Sequence, residues 1–110
     1  MMKAHKVILK QQIADKLVHR KLFWSYNAVN SSDIPDEVLI EKVLIHLDVD
    51  DIDRLFLIFS WKKIREVWLK EVVIQDPFYH SMNILLAYLY FHIRKPEAYI
   101  EKYIRRYQLS

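Results

Sequence analysis

The run Asp48-Val49-Asp50-Asp51-Ile52-Asp53 sets four carboxylates within six residues, a density that invites a calcium loop. An EF-hand loop beginning at Asp48 needs glycine at its sixth position and glutamate at its twelfth. The sequence supplies Asp53 and Phe59 there. Aspartates also cap helices and favour their first turns, and the run reads better that way. The five histidines, His5, His19, His46, His80 and His92, include no pair at i,i+4 and no HExxH arrangement. His80 and His92 stand 12 residues apart on one expected helix, and so on different faces. They read as surface residues, with no zinc site. The absence of cysteine removes a thiol nucleophile, a thiolate metal site and a disulfide framework.

Two further clusters bear on binding. Lys102, Arg105 and Arg106 interleave with Tyr103 and Tyr107, a combination that serves single-stranded nucleic acid, where bases stack on rings and phosphates meet cations. The plainer reading is a tyrosine stripe packed on the core beside a solvated basic edge. Phe23, Trp24 and Tyr26 sit just before a loop. They either cover an open end of the core or anchor a partner, since Trp and Tyr dominate interface hot spots. Small helical ribonucleases of the HEPN type carry an arginine followed closely by histidine on one helix. No arginine here has such a histidine behind it. No catalytic residue, metal ligand or cofactor site is assigned.

The elements that carry these residues are helical. The first helix is expected from about Lys3 to Leu22, with one stripe at Leu9, Ile13 and Leu17 and a second at Val7, Ala14, Val18 and Leu22. Asn27 to Asp33 reads as a loop, with Ser32 or Asp33 capping a helix that takes Pro35, Asp36 and Glu37 into its first turn and runs to about Leu47. A third helix covers Asp51 to Phe59, and Ser60 caps a fourth from Trp61 to Val73. Asp76-Pro77 opens a fifth, to about Ile93, apolar nearly all round and so expected to be the central buried helix. Pro96 opens the sixth. Ile40-Glu41-Lys42-Val43-Leu44-Ile45 is echoed in character by Ile64-Arg65-Glu66-Val67-Trp68-Leu69, which suggests two similar helical hairpins.

The fold expected is thus all-α, a single-domain bundle of about six helices over residues 1–110, with 1–22 as a basic helix or arm. The chain contains no glycine. That argues against tight β-hairpins, left-handed helix caps and phosphate-cradling loops, all of which lean on glycine's freedom at positive φ. A hydrophobic fraction of 53% is ample for a core. The longest apolar run, Ile84 to Phe91, is far below the ~20 residues that cross a bilayer, and Val7-Ile8-Leu9 is too short for a signal-peptide core. A cytoplasmic protein with no membrane contact is expected. The net charge of +3 conceals +5 over residues 1–22, −6 over 23–59 and +4 over 60–110. The acidic middle can be neutralised by the basic ends within the fold.

The block opening with FWSYN and continuing through DEVLIEKVLIHLDVDDIDRLF and SWKKIREVWLKEVVIQDPFYHSMNILLAYLYF resembles a bacterial family of small helical proteins. Its members are similar to antitoxin-like proteins associated with AbiEii-type nucleotidyltransferase toxins. The likeness spans roughly residues 22–107 and rests mostly on core-type residues, Ile64, Arg65, Glu66, Val67 and Trp68 among them. Pro35 departs from the pattern. The resemblance implies a non-enzymatic interaction module, an antitoxin-like partner or regulator of a nucleotidyltransferase toxin. Phe23, Trp24 and Tyr26, with Asp48, Asp50, Asp51 and Asp53, are the candidate partner-binding residues. The alternative is a small nucleic-acid-binding regulator using the basic first helix and the Lys102/Arg105/Arg106 edge. That alternative predicts binding to RNA or duplex DNA that weakens steeply with salt, because phosphate contacts release counterions. A flat titration at low salt would eliminate it.

Overall fold

The computed structural model describes residues 2–19 and 34–109, with side chains described for 5–19 and 34–108. The protein is all-α, and no strand occurs among the described residues. The helices are α1 (Met2–His19), α2 (Asp36–His46), α3 (Val49–Ile58), α4 (Trp61–Val67), α5 (Asp76–Leu89) and α6 (Pro96–Leu109). A π turn, Trp68–Val72, and a 3-10 turn, Val73–Gln75, join α4 to α5. No loop therefore separates Trp61 from Leu89, although Tyr79 (φ −124°, ψ 24°) kinks α5, and the described residues form five helical segments rather than six. The cause is Pro77, in the first turn of α5. It has no N–H, and its ring would crowd the carbonyl of Val73, four residues back. The N–H of Asp76 takes that carbonyl instead, so the ladder changes pitch without opening a loop.

The chain divides into two units, Met1–Ile64 and Arg65–Ser110. In the first, α1 packs on α2 and α3 through Ile13, Ala14 and Leu17, all buried. The buried face thus takes Ile13 and Leu17 from the first stripe read from the sequence and Ala14 from the second, while Val7 and Val18 of the second stripe, and Ile8, stay exposed. The core of this unit is completed by Leu39, Ile40, Val43, Leu44, Ile52, Leu55 and Ile64. Pro35 is the N-cap of α2 rather than a first-turn residue. Ser60 caps α4 as expected, its Oγ accepting the N–H of Lys63 at 3.1 Å. The echo between Ile40–Ile45 and Ile64–Leu69 is one of burial. Ile40, Val43 and Leu44 are buried at i, i+3, i+4, as are Ile64, Val67 and Trp68.

Charge segregation along the chain is partly spent inside this unit. Lys10 reaches Asp36 at 2.7 Å, and Lys63 approaches Asp36 and Glu37 at 3.8 and 3.6 Å. Asp51 is the firmest tie: its side chain is only 3% exposed and meets Lys16 at 2.6 Å and Arg54 at 2.9 Å. Burial pushes its carboxyl up, but the hydrogen bonds and charges of Lys16 and then Arg54 outweigh that and hold it below its ordinary value.

The second unit is built around Trp68, fully buried, with Phe91 stacked on it at 4.6 Å between ring centroids and Tyr99 nearly parallel at 6.5 Å. Val67, Val72, Val73, Asn83, Leu86, Ala87 and Ile100 are the other buried residues described in it. The expectation that α5 is buried on all sides is overturned. Only Asn83, Leu86 and Ala87 are buried along it. Within the unit it packs on α6 and on the π and 3-10 turns, which are too few neighbours to cover a whole cylinder. After α5, His92 takes φ 53°, a left-handed residue in a chain without glycine, and the Ile93 N–H returns to the Ala87 carbonyl at 3.0 Å. The expected lack of left-handed caps is corrected at this one position; histidine is among the side chains that tolerate it best.

Two outcomes are expected. Replacing Asp51 by Asn removes the charge from its hydrogen bonds with Lys16 and Arg54 and lowers stability by about 2 kcal/mol near neutrality. Because the folded carboxyl titrates below the unfolded one, its contribution is complete above about pH 3.9 and is lost as pH falls through the folded value. Urea titrations should therefore show the gap between Asp51→Asn and the parent closing in acid; an equal gap at both pH values would contradict the ion-pair account. His92→Gly should raise stability by about 1 kcal/mol by removing the left-handed penalty, and a lower melting temperature would refute it.

Candidate functional site

A chain of four side chains runs from the core of the second unit to its surface. The indole N–H of Trp68 donates to Asn83 Oδ1 at 3.0 Å. The Asn83 amide, fully buried, donates to the Val72 carbonyl at 3.4 Å and to Asp76 Oδ1 at 3.0 Å. The other oxygen of Asp76 lies 2.8 Å from His80 Nδ1. This bond fixes the imidazole: Nδ1 is turned to the carboxylate, and Nε2 faces outward, 4.0 Å from Glu97 Oε1. Local sequence explains the arrangement. Asp76 and His80 are four residues apart on α5, hence neighbours on one side of a helix. Asn83 lies two turns beyond Asp76 on the same side.

His80 opens onto a cleft of about 410 Å³ between α5 and α6, lined by Asp76, His80, Glu97, Ile100, Glu101, Ile104, Arg105 and Gln108. Ile100 and Ile104 give it an apolar floor. Asp76, Glu97 and Glu101 stand against one guanidinium, and Arg105 is already held by Glu101 at 2.6 Å. Scanning for His–His and Arg–His spacings misses this site. The signal that would find it is the acid and histidine of Asp76-Pro77-Phe78-Tyr79-His80.

The second notable surface is the outer side of α5. Leu85, Tyr88 and Leu89 share a face at i, i+3, i+4 and are 51%, 65% and 48% exposed, with Phe78 at 84% in the first turn of the same helix. From Pro77 to Phe91 the sequence carries no Asp, Glu, Lys or Arg. Periodicity could not distinguish this face from core.

The residues singled out in the sequence fall in different places. Phe23, Trp24 and Tyr26 lie outside the described residues. Asp48 is the N-cap of α3, and it and Asp50 are exposed, as is Asp53. Asp51 is turned inward to Lys16 and Arg54, so it belongs to the packing of α1 on α3 and is withdrawn from the candidate partner surface. On α6, Lys102, Arg105, Arg106 and Tyr107 are exposed, whereas Tyr103 is half-buried. Burial, then the neighbouring Tyr107 and Tyr99, raises the Tyr103 phenol above its usual range. The ring stripe is therefore partly packing: Tyr99 accepts a hydrogen bond from Arg65 and lies near Trp68. Among the described residues, no group of three or more His, Asp or Glu side chains is arranged to hold a metal ion. No helix among them is long and apolar enough to cross a membrane.

Comparison with known proteins finds no family, no curated protein and no solved structure that matches the chain.

Asn83→Ala should lower stability by at least about 2 kcal/mol, because it strands the Trp68 indole N–H and the Val72 carbonyl in the core. Urea unfolding followed by tryptophan fluorescence checks this, and an unchanged midpoint would show that the bridge carries no weight.

Proposed function

We propose that the protein is a non-enzymatic protein–protein interaction module whose contact surface is the outer face of α5. The observation that carries this reading is the exposure of Leu85, Tyr88 and Leu89 together on a stretch without formal charge, with Phe78 exposed near the start of the same helix. Single exposed apolar residues are ordinary, whereas a contiguous group marks a surface that a partner dries. Large aromatic and aliphatic side chains in such a group are the usual anchors of an interface. The antitoxin-like reading, with a nucleotidyltransferase toxin as partner, rests on the sequence resemblance alone. The exposed Asp48 and Asp50 fit it, as carboxylates able to oppose a basic cleft. The nucleic-acid alternative has less support, since Arg105 is paired with Glu101 and Tyr103 is half-buried.

The test is affinity capture of the tagged chain from its own host with nuclease present, run beside the variant Leu85→Arg. Leu85 is exposed, so the variant should keep its stability within about 0.5 kcal/mol. A stoichiometric protein that survives nuclease and is lost by Leu85→Arg is the expected result. Recovery of nucleic acid alone, removed by nuclease, would replace this reading with the regulator.

A further inference from the structure

We draw no further inference here: the strongest candidate, the exposed apolar face of α5 at Leu85, Tyr88 and Leu89, already belongs to the contact surface proposed above, and nothing in the structure shows what covers it.

Discussion

The second unit depends on the fully buried amide of Asn83. Where the π turn gives way to the 3-10 turn, the regular ladder of hydrogen bonds changes pitch, and Asn83 Nδ2 reaches the Val72 carbonyl at this junction. The same side chain satisfies the Trp68 indole, around which Phe91 and Tyr99 are stacked, and it fixes Asp76. One residue thus joins the change in helical pitch to the aromatic core and to the surface histidine. A buried polar group is costly unless fully paired, and here every hydrogen-bonding direction that matters is used. Among the described residues no buried side-chain nitrogen or oxygen lacks a partner.

The first unit is organised by charge as well as by packing. Its basic helix α1 and the acidic segments that follow it lie far apart in sequence, yet Lys10 meets Asp36 and Lys16 meets Asp51. The contrast between +5 over residues 1–22 and −6 over 23–59 is to this extent an internal complementarity. Part of it is exposed, where such pairs contribute little. The pair at Asp51 differs because one partner is buried and cannot rehydrate.

The helices and their starts were legible because they follow from local rules. Ser60 before Trp61, Asp36 and Glu37 in a first turn, and Asp76-Pro77 all act within one turn of chain. The burial of Ile40, Val43 and Leu44, echoed at Ile64, Val67 and Trp68, was legible as periodicity. What failed needed knowledge of neighbours. An apolar helix is buried all round only if enough elements surround it, and α5 has α6 and two short turns within its unit. Asp50 and Asp51 are adjacent and chemically identical, yet one is exposed and the other is sealed against Lys16. No local rule distinguishes them. His80 is a surface histidine, as its sequence context suggests, but the spacing of histidines and arginines does not point to its hydrogen-bond partner. Its partner was an aspartate four residues earlier.

The stretch from Trp68 to Gln75 also sets a rotational phase. Each residue in an α-helix advances about 100° around the axis, so the number of residues spent in the π and 3-10 turns decides which side of α5 looks inward. Asn83 faces Trp68 and Leu85 faces out only at the present count. One residue more or fewer between Trp68 and Asp76 would turn the whole of α5 by more than a quarter of a revolution, carrying a polar side chain away from the core and an apolar one toward it. The length of this short passage therefore specifies the surface as well as the interior, and a change there would alter both together.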